Sequence, residues 1–445
     1  MSELLALGVS HKTAPLDLRE RLSLTEGRAV GALHELTAAP GIHEAAAIST
    51  CNRTELYLVV SDPVEAESTA LGILTRQAEL RPTELLGHLY SLRAEEGARH
   101  LLRVTAGLDS MIVGEAEIQG QVKRAYELSM VEGGTGPILN RLFHGALAAG
   151  GRAREETGIS EKGVSIPSVA VELARRNLGD LSDRRVLVVG AGETAELVAR
   201  ALVARGVGAV FVANRHYDRA SGLAERFEGS AVRFEELPEQ LQEADIVVSA
   251  TNSPHHIVER DELGVVMAAR QDRPLMLIDI AVPRDIEPDC REVPGVTVYD
   301  IDDVQQIAER NASGREAEAK RAERIIEAEL DRFERWLGLQ EVVPTISALR
   351  EQGDEVVRRV LAENENRWES LSAADRERVE KMAGAIASRL LHEPTLRIRR
   401  SACSGEAYFF ISALRELFGL DVDTALESEA GGADVTELRR RDESA

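Results

Sequence analysis

The stretch Arg185-Val186-Leu187-Val188-Val189-Gly190-Ala191-Gly192-Glu193-Thr194-Ala195 does most to limit what this chain can fold into. A short apolar run of strand character leads straight into a Gly-x-Gly-x-x-Ala turn, and a helical pattern follows from about Glu196 to Arg205. Glycines there permit the tight turn and let backbone N–H groups approach a pyrophosphate at a helix N-terminus. Strand-like runs at Val210–Ala213, Ile246–Ala250 and Leu275–Ile280 alternate with helical ones, the pattern of a parallel sheet covered on both faces. The end of the second strand is where the ribose is read. An acidic residue there selects NAD, but this chain has Asn214-Arg215, with Arg219 one turn on, so NADP(H) is the expected cofactor. Gly190, Ala191, Gly192, Glu193, Thr194, Ala195, Asn214 and Arg215 are the expected cofactor contacts. Asp279 to Asp285 follows another strand end, and lines the nicotinamide side or forms a rigid turn.

Upstream, the order is strand (Leu4–Val9), helix (Thr25 cap to Leu36), two strands (His43–Ile48 and Glu55–Val60), helix (Val64–Ala78) and a short strand near His88–Leu92. That is the order of a ferredoxin-like unit. Its two middle strands are joined by Ser49-Thr50-Cys51-Asn52-Arg53-Thr54-Glu55. A small hydrophobe at a strand end is the bland reading of Cys51. Thr50, Asn52 and Arg53 would be costly to bury for packing alone, and they favour a nucleophile. Arg53 is expected to depress the thiol pKa and hold a carboxylate, while Thr50 and Asn52 donate to an oxyanion. Helices follow at about 94–106, 115–131 and 138–157, the first two separated by the glycine-bounded loop Gly107–Gly114. His100, with Glu96 and Arg103 a turn away, is either a proton carrier or a residue of a solvated helix face. Ser110, Glu115, Glu117 and Gln121 are candidate polar ligands, although the two glutamates also suit a helix N-terminus.

Beyond Val304 the strands stop. A long helix is expected over 302–338, with Asn311–Gly314 as a candidate break, then helices near 344–366, 372–392 and 405–418 and an acidic, disordered tail from 421. Exposed apolar stripes on such helices commonly pair with a second copy of the chain. The domains expected are therefore 1–157, 158–304, 305–420 and the tail 421–445.

Charge narrows the partners. The net charge of −23 argues against a generally basic nucleic-acid-binding face, and only five of the basic residues are lysines. An acidic, arginine-for-lysine surface points to a halophilic source. No run is apolar for the length of a membrane span, and the N-terminus lacks a signal peptide's basic region, so a cytoplasmic location is expected. Three scattered cysteines make neither a disulfide framework nor a metal site.

Together these stretches resemble the glutamyl-tRNA reductase family. The resemblance is carried by Gly8-Val9-Ser10-His11-Lys12-Thr13-Ala14-Pro15, Ser49–Glu55, Gly107–Met111 through Gly120-Gln121-Val122-Lys123, Gly190-Ala191-Gly192, Asn214-Arg215, Asp279–Asp285 and Leu391-His392-Glu393-Pro394-Thr395. It implies NADPH-dependent reduction of glutamyl-tRNA(Glu) to glutamate-1-semialdehyde, the first step of tetrapyrrole synthesis by the five-carbon route. Cys51 is then the nucleophile that forms a thioester, and His100 matches a histidine important for activity. Thr50, Asn52, Arg53, Ser110, Glu115, Ala116, Glu117 and Gln121 recognise the glutamyl group. The implied assembly is a homodimer joined through a spinal helix and C-terminal helices, with glutamate-1-semialdehyde aminotransferase as a partner. Two readings compete: another NADP-dependent semialdehyde or shikimate-type dehydrogenase, and a non-enzymatic nucleotide-sensing dimer. Neither explains Cys51 and its neighbours as well.

Overall fold

A computed structural model describes residues 2–115, 117–159, 166–207, 209–227, 229–251, 253–271, 273–310, 316–368, 371–401 and 407–420. The chain divides into two compact units, residues 1–330 and 331–445.

The first unit opens with β1 (Glu3–Ser10), α1 (Leu16–Leu22), α2 (Glu26–Ala38), β2 (Ile42–Ser49), β3 (Arg53–Val60), α3 (Pro63–Gln77), α4 (Pro82–Leu85) and β4 (Tyr90–Arg93). The strands form one antiparallel sheet in the order β2-β3-β1-β4, the ferredoxin-like arrangement expected. Helices α1 and α4 are additions to the expected order. Both are too short for a hydrophobic period to announce them. Asp62 caps α3 through its carboxylate, which accepts from the backbone N–H of Val64 and Glu65. Thr25 stands at the N-cap of α2, but its side chain makes no capping bond.

Alternation along the strands sorts their side chains between two buried faces. Leu56, Leu58 and Val60 join Leu5, Leu7 and Val9 in a core closed by α1–α4. Glu55 and Tyr57 point to the opposite face, under α5 (Ala94–Thr105), α6 (Glu117–Val131) and α7 (Pro137–Glu156). Gly8 pairs with Glu55, and a Cβ at position 8 would lie 2.5 Å from the Thr54 carbonyl oxygen and 2.9 Å from Glu55 Cγ. Only glycine leaves room there for the Glu55 side chain.

After α8 (Ile166–Leu178) come β5 (Arg185–Val189), α9 (Glu193–Val203), β6 (Ala209–Asn214), α10 (Tyr217–Arg226), β7 (Ser230–Arg233), α11 (Leu237–Glu243), β8 (Ile246–Ser249), α12 (Arg260–Ala269), β9 (Leu275–Asp279) and β10 (Val296–Tyr299). These six strands are all parallel, in the order β10-β9-β8-β5-β6-β7. The order reverses at β5, so the crevice beyond its C-terminus is where a Rossmann-type sheet takes its ligand. Strands β7 and β10, four-residue edge strands, escaped the sequence pattern.

The helical remainder comprises α13 (Ile301–Arg310), α14 (Glu316–Glu363), α15 (Ala373–Ser401) and α16 (Ala407–Phe418). The candidate break at 311–314 and the tail from 421 lie outside the described residues, as does Cys403. Two expected boundaries are corrected. Helix α14 runs unbroken through Pro344, and α15 runs through Pro394 rather than ending near 392. An internal proline removes one hydrogen bond and costs about 3 kcal/mol. Buried Val342, Ile346, Ile398 and Ile411 pack into one cluster around these positions, and that burial outweighs the local preference. Among the described residues no helix is long and apolar enough to cross a membrane.

Candidate active site

Cys51 occupies a three-residue turn, Thr50-Cys51-Asn52, that closes the β2–β3 hairpin. The Thr50 N–H donates to the Arg53 carbonyl at 2.8 Å, and the Asn52 N–H donates to Thr50 Oγ1 at 3.2 Å. The thiol is half-buried. Burial pushes it up to about 12, the carboxylates of Glu115 and Glu117 push the same way, and Arg19 opposes them. The expectation that Arg53 depresses the thiol is therefore corrected.

Arg53 is committed elsewhere. It is buried, its Nη1 lies 2.7 Å from Glu55 Oε1, and its Nη2 donates to the Asp109 carbonyl at 2.7 Å. Glu55, also fully buried, is the hub of this cluster. It accepts from Tyr57 OH at 2.7 Å, from Tyr90 OH, and pairs with His100 Nε2 at 2.9 Å. Burial alone would raise the Glu55 carboxyl, but Arg53 and His100 outweigh it and hold the group well below the usual carboxylate range. His100 is thus on the site side of α5, with its side chain 13% exposed, rather than on a solvated face. Asp109 extends the cluster, bridging toward His100 Nδ1 at 3.9 Å and pairing with Lys12.

Loop 107–114 is closed by the Gly114 N–H donating to the Gly107 carbonyl at 2.9 Å, and it presents Asp109 and buried Ser110. Glu115 precedes α6 rather than belonging to it, because the helix begins at Glu117. Burial raises the Glu115 carboxyl. It raises Glu117 to about 7, with Glu115 and Glu193 adding repulsion. Gln121 sits one turn along α6, half-buried, and Ala116 lies outside the described residues. His11 reaches the same turn through its backbone N–H, which donates to the Asn52 carbonyl at 2.8 Å. Burial, with the Arg53 and Lys12 cations, lowers its imidazole to about 3, so it is neutral. Two buried nitrogens here, His11 Nδ1 and Arg53 Nε, have no hydrogen-bond partner among the described residues.

The candidate dinucleotide turn lies at the end of β5. Gly190 has φ +121°, and a Cβ there would sit 2.4 Å from the Ala250 carbonyl oxygen. Gly192 caps α9 and faces open space, while Ala195 is fully buried beneath the helix. Such an open glycine at a helix N-terminus suits a pyrophosphate. Asn214 Oδ1 accepts from the His216 N–H at 2.8 Å and shapes the turn after β6. Arg215 and Arg219 beyond it are exposed, and no carboxylate pairs with either among the described residues. Ala191, Glu193 and Thr194 complete the turn, with Glu193 lying 3.1 Å from Arg124 of α6.

The Asp279–Asp285 stretch is built as a rigid turn. Asp279 accepts from the N–H of Ala281 and Ile286, and burial next to Asp285 raises it to about 8. Asp285 accepts from Ser249 Oγ and the Thr251 N–H. Sequence reasoning missed Arg19, Glu55, Tyr57, Tyr90 and Asp109 as site residues, although Glu55 closed the quoted Ser49–Glu55 motif. Tyr57 and Tyr90 carried no polar signal beyond ordinary strand residues, whereas Asp109 stood within a quoted motif. Among the described residues no group of three or more His, Cys, Asp or Glu is placed to hold a metal ion.

Comparison with known proteins agrees with this layout. Residues 7–157 match the family described as glutamyl-tRNAGlu reductase, N-terminal domain, and residues 321–420 match its dimerisation domain. Residues 172–307 match shikimate / quinate 5-dehydrogenase. The glutamyl-tRNA reductase of Pelotomaculum thermopropionicum is 44% identical over 419 residues, covering 94% of each chain. That of Geobacter sulfurreducens is 41% identical over 435 residues, covering 98% of this chain and 100% of its own. Among solved structures, the glutamyl-tRNA reductase from Methanopyrus kandleri is 35% identical, covers 94% of this chain and 100% of its own, and superposes with a TM-score of 0.52.

Proposed function

This chain belongs to the glutamyl-tRNA reductase family, and from that premise we propose that it reduces glutamyl-tRNA(Glu) to glutamate-1-semialdehyde with NADPH, releasing tRNA(Glu), at the head of tetrapyrrole synthesis. The observation that carries the reading is Cys51. It stands in a turn flanked by the Arg53–Glu55–His100 cluster, in a chain that also holds a dinucleotide-type parallel sheet.

Cys51 Sγ attacks the ester carbonyl carbon, the ribose oxygen of tRNA leaves, and a thioester forms. A thioester accepts hydride more readily than an ester does. NADPH, when bound, supplies the hydride, and the resulting thiohemiacetal collapses to aldehyde and free thiol. Gly190, Gly192 and the N-terminus of α9 would hold its pyrophosphate, and Arg215 with Arg219 its 2′-phosphate.

The unliganded thiol is protonated at neutral pH, since burial and two carboxylates raise it. The substrate's α-ammonium would remove part of that obstacle by neutralising Glu115. Glu117, raised to about 7, has the basicity suited to taking the thiol proton near neutral pH. Arg53 keeps its buried Nε for the glutamyl carboxylate. Thr50 Oγ1 remains a donor toward the reacting carbonyl oxygen. His100, paired with Glu55, would protonate the leaving oxygen.

Joining through the 331–445 unit into a homodimer is part of the same reading. Ile386, Leu390 and Phe409 are 55%, 72% and 70% exposed, apolar side chains that a second copy of the chain would cover. The domain division at 1–157, 158–304 and 305–420 and hand-over of the aldehyde to an aminotransferase also belong to it.

Glutamyl-tRNA labelled in the glutamate and incubated without NADPH should leave label on Cys51, releasable by hydroxylamine. Adding NADPH should discharge it as the semialdehyde. Semialdehyde formation by Cys51→Ser at more than about a hundredth of the parent rate would refute the thiol route.

A further inference from the structure

Helix α1 carries no residue of the motifs discussed above, yet three of its side chains lead from the thiol turn to the dinucleotide-binding sheet. Arg19 is buried to 3% exposure. Its Nη1 donates to the Cys51 carbonyl at 2.8 Å and approaches Asn52 Oδ1 at 3.4 Å, while Nη2 donates to Asp302 Oδ1 at 2.5 Å in the first turn of α13. On the same helix, Glu20 takes the Arg284 backbone N–H at 2.7 Å and its Nε at 2.9 Å, and Asp17 adds a further contact to that guanidinium. Arg284 belongs to the turn after β9, whose next residue, Asp285, is tied to Ser249 and Thr251 at the end of β8. Helix α1 is therefore gripped from the C-terminal ends of β8 and β9 and from α13, and it grips the nucleophile's own peptide.

We propose that Arg19 is a positioning residue for Cys51: one planar guanidinium sets the thiol turn at a fixed place relative to the dinucleotide-binding sheet, through Asp302. The geometry needs both arms of the fork. A lysine, a single compact ammonium, keeps the cation but cannot serve carbonyl and carboxylate in one plane. Because the turn and the sheet are joined through Arg19, dinucleotide binding changes the setting in which the Cys51 thiol reacts.

This inference rests on Cys51 as the nucleophile, and its first test does not require glutamyl-tRNA. The rate of Cys51 alkylation by iodoacetamide is followed against pH by mass spectrometry, in the full chain, with and without saturating NADPH. Arg19→Gln should shift the profile upward by about one pH unit, a roughly tenfold slower reaction at fixed pH on the rising limb. Arg19→Lys should return the profile toward the parent's but still lose about tenfold in reductase kcat, with the KM for NADPH unchanged. NADPH should change the alkylation rate of the parent, and Asp302→Asn, a partly exposed site that folding should tolerate, should keep the alkylation profile but not show that change. A parent indifferent to NADPH would overturn the coupling. The proposal is overturned if Arg19→Gln alkylates with the parent profile, if Arg19→Lys reduces at the parent rate, or if Asp302→Asn responds to NADPH as the parent does. A Cys51→Ser enzyme that still makes semialdehyde would instead refute the thiol route and leave the alkylation results standing.

Discussion

Glu55→Gln is the substitution that tests the site's architecture most sharply. Glu55 is inaccessible to solvent and faces four partners: Arg53 at 2.7 Å, Tyr57 at 2.7 Å, His100 at 2.9 Å, and Tyr90. Glutamine preserves the volume but removes the charge, and it turns an NH₂ donor toward groups that are themselves donors. The buried guanidinium is left with only the more distant Asp109 carboxylate, 3.5 Å from Nη1, and breaking a buried pair in this way costs about 3–5 kcal/mol. At ~2–4 °C per kcal/mol for a unit of this size, melting of the N-terminal part should fall by roughly 6–20 °C. The pH dependence has a definite sign. Glu55 is held below its ordinary value in the folded chain, so its stabilisation is complete above the unfolded value near ~4.3. It is lost only as pH falls below that value through the depressed folded one. Near-ultraviolet circular dichroism melts of parent and variant should therefore stay apart at neutral pH and converge in acid. A variant that melts within about 2 °C of the parent at pH 7 would refute the hub role of Glu55.

Glu117→Gln should speed alkylation of Cys51 at pH 8, since one carboxylate that raises the thiol is gone. It should also remove an inflection near pH 7 from the kcat/KM profile; an unchanged profile would exclude Glu117 as the titrating group. Arg215→Gln should narrow the NADPH-over-NADH preference by about tenfold in kcat/KM, with little change in kcat; an unaltered ratio would move 2′-phosphate recognition elsewhere. Substituting Ile386 and Leu390 together by Asp should convert a dimer into monomers by light scattering with NADPH binding intact. A persisting dimer would place the interface on another surface.

The two kinds of information divide along a physical line. Sequence alone determined the chain order of β1–β4 and of the parallel strands β5, β6, β8 and β9, because strand and helix periods are local. It also placed a thiol in a hairpin turn and an open glycine at a helix N-terminus, which are properties of short adjacent runs. Whether His100 faced solvent, and what held Arg53, depended on Glu55 meeting α5 across the sheet. Arg19 acts on Cys51 and on Asp302, 32 and 283 residues away along the chain. No window of sequence spans those distances. The unbroken passage of α14 and α15 through Pro344 and Pro394 was settled the same way, by long-range burial that exceeds a local penalty. Even the direction of the thiol's shift reversed, because burial and carboxylates brought by the fold outweigh Arg19, while the arginine beside Cys51 in sequence is held by Glu55. Local patterning set which elements form. Tertiary packing decided which charges meet in a medium that screens them poorly, and it is there that the chemistry of Cys51 is set.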